Sequence, residues 1–182
     1  MKPLICILFF FIASFGNTLY SAGIEKMFVH RSAGEESLFF IFSQTLPACK
    51  ETRSMSKSID YDYTYLQKTD SVSMLLSLPL HHTVTGMSVE ITTDKESYVF
   101  DPELIYAEPR KGKIIYRLRL NMPFETFVDM YSSNAPFIVS INYDYSGHEE
   151  NVCFSYDQKH WLDNKGKILS IIDLIKINVG KG

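Results

Sequence analysis

The chain reads as all-β: a single antiparallel β-sandwich of about seven to nine strands with one or two short helices. Three observations predict this. Apolar residues recur with a period of two in run after run. Turn-forming clusters separate those runs. The composition is that of a folded domain: 182 residues, 46% hydrophobic and 21% charged, with 9 Gly and 7 Pro. It excludes collagen-like, low-complexity and disordered acidic chains. A 14% aromatic share, with 13 Phe, 11 Tyr and 1 Trp, can fill a sizeable core, and the length suits one domain.

The expected strands follow in order. Residues 38–42 are continuously apolar, as in a strand covered on both faces. Ile59, Tyr61, Tyr63 and Tyr65 alternate with Asp60, Asp62 and Thr64. Val72, Met74, Leu76, Leu78 and Leu80 alternate with Ser71, Ser73 and Ser77. Met87, Val89 and Ile91 alternate with Ser88 and Glu90, and residues 98–100 form a short further candidate. Ile114, Tyr116, Leu118 and Leu120 alternate with Arg117 and Arg119. Val139, Ile141, Tyr143 and Tyr145 alternate with Ser140, Asn142 and Asp144, then Val152, Phe154 and Tyr156 with Cys153, Ser155 and Asp157. Between the runs lie turn signals such as residues 68–70, 94–96, 109–112 and 146–148.

Two segments break the period. Residues 123–133 space Phe124, Phe127, Val128 and Tyr131 as on one helix face. Pro123 opens the segment, and Glu125 and Asp129 add acids. Ile168, Ile171, Ile172 and Ile175 also fit one helical face. Their β-branching lowers helix propensity, so a final strand stays open as an alternative.

Residues 1–23 have the form of a secretory signal. Lys2 precedes an unbroken apolar run over residues 4–13, far short of the roughly 20 residues a membrane span needs. Small residues then allow cleavage after Gly23 or after Gly16. The expectation is a signal at 1–23 and a single β-sandwich domain at 24–182, secreted or periplasmic, in a bacterium. No second segment is apolar and long enough to span a bilayer. Lys plus Arg number 18 against 21 Asp plus Glu, a net charge of −3 with no block of like charge. Nucleic acid is therefore a poor partner.

Cleavage would also remove Cys6, leaving Cys49 and Cys153. An even pair in an exported domain points to one disulfide. The alternative is a reactive thiol, and no C-x-x-C spacing supports it. With Val152, Phe154 and Tyr156 facing the core, Cys153 points away from it. A bond to Cys49 would then staple a connecting segment to the outside of a sheet.

Tyr61-Asp62-Tyr63 and Tyr143-Asp144-Tyr145 form the most distinctive local feature, with Tyr156-Asp157 a partial third copy. Tyr61, Tyr63, Tyr143, Tyr145 and Tyr156 are the candidate binding face, because tyrosine combines rigid contact area with a polar tip. Simple alternation, tyrosines inward and aspartates outward, is the competing reading.

No metal or cofactor is indicated. Asp60, Asp62, Asp144 and Asp157 lack the calcium-loop spacing. His81 and His82 are adjacent and on a strand would point apart, while His30, His148 and His160 are scattered. Residues 86–90 begin like a nucleophile elbow but lack its second glycine. Arg117 and Arg119 share a strand face that could hold an anion or simply be solvated. Trp161 is expected in the core.

The order of features from Leu76 onward resembles the invasion-associated locus B family of small exported bacterial β-sandwich proteins. The parts are Leu78-Pro79-Leu80, Gly86 leading into Val89-Glu90-Ile91, an amphipathic segment over residues 124–131, a hairpin over 136–154 and a terminal apolar segment. The resemblance implies a periplasmic or surface protein associated with host-cell entry, with no catalytic residues to carry over.

The expected function is thus non-enzymatic: an exported binding protein for a protein or glycan partner. A small hydrolase using carboxylates or histidine, and a structural subunit of an envelope assembly, are the rival classes.

Overall fold

A computed structural model describes residues 21–33, 36–49 and 57–180. The expected signal core, residues 4–13, lies outside the described residues. The element order is α1 (Ser21–Ile24), β1 (Phe28–Ala33), β2 (Glu36–Pro47), β3 (Ser58–Leu66), a 3-10 turn (Gln67–Thr69), β4 (Ser71–Leu80), β5 (Thr85–Thr92) and β6 (Ser97–Phe100). It continues with β7 (Glu103–Arg110), β8 (Lys113–Pro123), α2 (Phe124–Ser132), β9 (Ile138–Tyr145), β10 (His148–Ser155) and α3 (Gln158–Asn178).

The strands make two antiparallel sheets, ordered β1-β2-β3-β4-β8-β7 and β10-β9-β5-β6. The all-β, sandwich-like class is therefore the one observed, with ten strands among the described residues. Turn chemistry sets the hairpins. Lys111 (φ 49°) and Gly112 (φ 76°) turn β7 into β8, and Ser146 (φ 52°) and Gly147 (φ 81°) turn β9 into β10. Left-handed φ at both central residues matches the twist of the strands they join.

Alternation decides the faces. On β3, β4 and β8, one set of residues is buried and the other stays partly exposed. The inward set (Tyr61, Tyr63, Met74, Leu76, Leu118 and Leu120 among them) belongs to one apolar cluster shared by both sheets and both long helices. Part of the inner face meets helices rather than the smaller sheet: Tyr65 contacts Phe124 and Tyr63 contacts Phe127, ring centroids 4.9 and 4.8 Å apart.

α2 begins after Pro123 and buries Phe124, Phe127, Met130 and Tyr131. The C-terminal segment is a helix, not a strand, and at 21 residues it is longer than the short element expected. Asp157 starts it as N-cap, accepting from the His160 backbone N–H at 2.9 Å. Trp161, Asn164, Ile168, Ile171, Ile172 and Ile175 form its buried stripe. That packing outweighs the weak propensity of the isoleucines.

Residues 38–42 are not covered on both faces as expected. Phe39 and Ile41 are buried, whereas Phe42 is 48% exposed. The apolar run is a half-buried strand whose outward residues are also apolar.

Candidate functional site

The five candidate tyrosines do not form one exposed face. Tyr61 and Tyr63 are buried in the core, Tyr143 is 3% exposed, and Tyr156 is half-buried. Strand alternation turns these rings inward and Asp60 and Asp62 outward. Tyr61 Oη donates to Gln44 Oε1 at 3.0 Å, lies 2.7 Å from Tyr156 Oη and accepts from Asn164 Nδ2 at 3.2 Å. Tyr63 Oη lies 3.1 Å from Tyr131 Oη. Burial pushes the phenols of Tyr61, Tyr63 and Tyr131 well above their ordinary value, because a phenolate there would lose its hydration. These are structural hydroxyls. Tyr145 keeps 38% exposure and stacks on His82, centroids 3.7 Å apart. It lies in the smaller sheet, away from the Tyr61 network.

Trp161 is fully buried between Tyr131 and Phe137, as expected of a core residue. Cys49 and Cys153 are bonded, with Cα atoms 5.5 Å apart. Val152 and Phe154 point into the core, and Cys153 between them points away. An Ala48–Phe154 bridge and a 2.9 Å bond from Cys49 N to Cys153 O accompany the disulfide. Together they tie the end of β2, in the six-stranded sheet, to the edge strand β10 of the four-stranded sheet.

The aspartates considered for calcium serve separate places. Asp60 accepts from Thr45, Asp62 pairs with Arg117, Asp144 lies against Gly86, and Asp157 caps α3. Among the described residues, no three His, Cys, Asp or Glu side chains group as metal ligands.

The arrangement with a chemical character of its own is on the outer face of the six-stranded sheet. Ile41 pairs with Tyr63 and Gln44 with Tyr61, so Phe42 and Ser43 both lie opposite Asp62. This β-bulge resets the alternation of β2. Phe39, Ile41 and Leu46 stay inward, while Phe40, Phe42 and Ser43 turn outward. The result is a groove of about 440 Å³ lined by Val29, Arg31, Phe40, Phe42, Ser43 and Asp62. Val29 and Phe42 are 37% and 48% exposed, a large apolar area for a solvated sheet face.

Charge on this face is ordered. Arg117, on β8, reaches across the small Ser77 of β4 to Asp62 on β3, donating to the Ser77 hydroxyl at 2.7 Å and to the Asp62 carboxylate. Arg119 donates to Glu103 at 3.0 Å, and Ser73 to Asn121 at 2.6 Å. The two arginines noted in the sequence are thus each paired. Arg31, in the groove, has no hydrogen bond or ion pair among the described residues. Nothing in the sequence pattern marked the groove, because a bulge inside an apolar run leaves no period to read.

Another cleft, of about 280 Å³, is lined by Val84, Met87, Asp101, Leu104, Tyr116 and Leu118 with neighbouring backbone.

No protein-family model, curated protein or solved structure matches the chain.

Proposed function

We propose that this chain is an exported, non-enzymatic binding protein that acts in the periplasm or outside the cell. On this reading it holds a protein or glycan partner on the outer face of its six-stranded sheet. The observation that carries the reading is the groove at the Phe42–Ser43 bulge. Exposed apolar side chains sit together with Arg31, which has no ion pair among the described residues, on a face where Arg117 and Arg119 are matched across strands. Surfaces that combine an apolar patch with a few oriented polar groups are what binding sites require. The Cys49–Cys153 bond suits an oxidising compartment. None of the described helices is long and apolar enough to cross a membrane. A place beside the invasion-associated locus B proteins agrees with this reading and rests on element order and very few identities.

A subunit role in an envelope assembly has one observation in its favour. All eight residues of the edge strand β7 are exposed, Leu104, Ile105 and Tyr106 among them. Pro109 within that strand lacks an N–H and so weakens it as a pairing edge. We therefore rank the groove first.

A photo-crosslinking residue placed at position 42 tests the reading, with one at the exposed Leu162 of α3 as control. In producing cells, position 42 should capture a partner and position 162 should not. Equal capture, or capture from 162 alone, overturns it.

A further inference from the structure

We infer that the groove takes a carboxylate-bearing sugar, the carboxylate on Arg31 and a ring face against Phe42; this rests on the groove being the binding surface. Charge is the first argument. The Asp62 carboxylate is occupied by Arg117, which Ser77 also holds in place. Arg31 brings a further guanidinium with no hydrogen bond or ion pair among the described residues. The groove therefore carries a surplus positive charge on a chain of net charge −3. A guanidinium presents parallel N–H donors that match a carboxylate two to two, which selects it over a neutral hydroxyl.

The second argument is the apolar wall. The Phe ring carries a negative face. The C–H bonds on one side of a pyranose ring are weakly positive and pack against such a face. Phe42, 48% exposed, offers that surface in the same groove as Arg31, Phe40 and Val29. Ser43 and Asp62 also line the groove, and their oxygens can accept from sugar hydroxyls. A volume of about 440 Å³ is in the range of small-ligand sites.

The third argument separates sugar from peptide. An extended acidic peptide gains affinity by pairing its backbone with a free strand edge. The groove floor, β2, has none to give; the edge of the sheet on this side is β1, which carries Val29 and Arg31 one strand away from Phe42. β2 lies between β1 and β3 in the sheet, and Phe42 N already donates to Met27 O at 2.7 Å. Recognition on that floor comes from side chains.

The test is an NMR titration of the disulfide-bonded mature protein. Its probes are a short oligogalacturonate, a neutral maltooligosaccharide of matching length and an acidic peptide containing phenylalanine. The oligogalacturonate should move amide signals of β1, β2 and β3 around the groove, and the neutral sugar should bind at least about tenfold more weakly. Arg31→Gln should lose at least about tenfold in affinity, Arg31→Lys less, and Phe42→Ala several-fold. Arg119→Gln, on the same face but paired with Glu103, should change nothing. Absence of groove shifts with oligogalacturonate overturns the inference, as does binding that survives Arg31→Gln. If only the peptide moves the groove signals, the sugar falls while the groove stands as the binding surface. If the crosslinker at position 42 captures nothing either, both fall.

Discussion

Replacing Tyr61 with Phe removes one oxygen and leaves the ring in place, so its cost reads the buried network directly. That oxygen donates to Gln44 at 3.0 Å, accepts from Asn164 at 3.2 Å and lies 2.7 Å from Tyr156 Oη. A neutral hydrogen bond contributes about 1 kcal/mol net, and a buried donor left without a partner costs about 1–3 kcal/mol. Gln44 Oε1 keeps Tyr156 Oη at 3.4 Å as a substitute, but the buried Asn164 amide loses its acceptor. The expected loss is about 2–3 kcal/mol. Tyr63→Phe, which gives up only the 3.1 Å contact with Tyr131, should lose about 1 kcal/mol. With a urea slope of about 2 kcal/mol per molar, the unfolding midpoint should fall by about 1–1.5 M for Tyr61→Phe and about 0.5 M for Tyr63→Phe. Adding Asn164→Leu to Tyr61→Phe removes the stranded amide. The double variant should be more stable than the sum of the single losses predicts, with a coupling of about 1 kcal/mol or more. If Tyr61→Phe costs no more than Tyr63→Phe, water reaches these oxygens. The tyrosines would then return as candidates for a binding face.

Further predictions concern pH, a turn and the disulfide. Tyr61, Tyr63 and Tyr131 have raised folded-state values through burial, and Tyr65 is pushed up to about 12 by burial and by Asp70 beside it. The unfolded chain therefore releases these protons first, from about pH 10. The stability they contribute is complete below that pH and declines as pH rises. Tyrosinate absorbance of these groups should appear together with loss of near-ultraviolet circular dichroism, and ionisation of all tyrosines in the intact fold would contradict the burial. Gly86 sits at φ 57°, and a Cβ there would lie 2.5 Å from Asp144 Oδ2, a movable atom. Gly86→Ala should cost about 1–2 kcal/mol from the backbone, and Asp144→Ala should not recover it in thermal unfolding. The disulfide joins residues 104 apart in sequence. Its removal by Cys49→Ser with Cys153→Ser should lower stability by about 4–5 kcal/mol, measured by urea unfolding.

The sandwich was legible because its central strands each have one wet and one dry face. β4 shows this best: Val72, Met74, Leu76, Leu78 and Leu80 are buried and every residue between them is partly exposed. β7 was missed because all eight of its residues are exposed, so no period was imposed on it. The start of α3 was missed because its first turns combine polar residues with Trp161 and Asn164 as the only buried positions before Ile168. The Asp157 cap was the signal that could have placed it. The tyrosines of the repeated Tyr-Asp-Tyr pattern at residues 61–63 and 143–145 stand out in the sequence. Period two alone could not say whether their side of β3 met solvent, the smaller sheet or a helix. The groove depends on a one-residue shift within β2 that only pairing reveals.

The reading of this chain as an exported binding protein stands first on its compartment, since every partner argument follows from it. Intact mass settles that point when the full-length chain is made with its own first 23 residues in a bacterium. The protein would be recovered from periplasm and medium, then alkylated before and after reduction. The account predicts a mass short by residues 1–23 or 1–16, with Cys49 and Cys153 alkylated only after reduction. A full-length product retained in the cytoplasm with free thiols would contradict it and return both cysteines as candidate reactive groups.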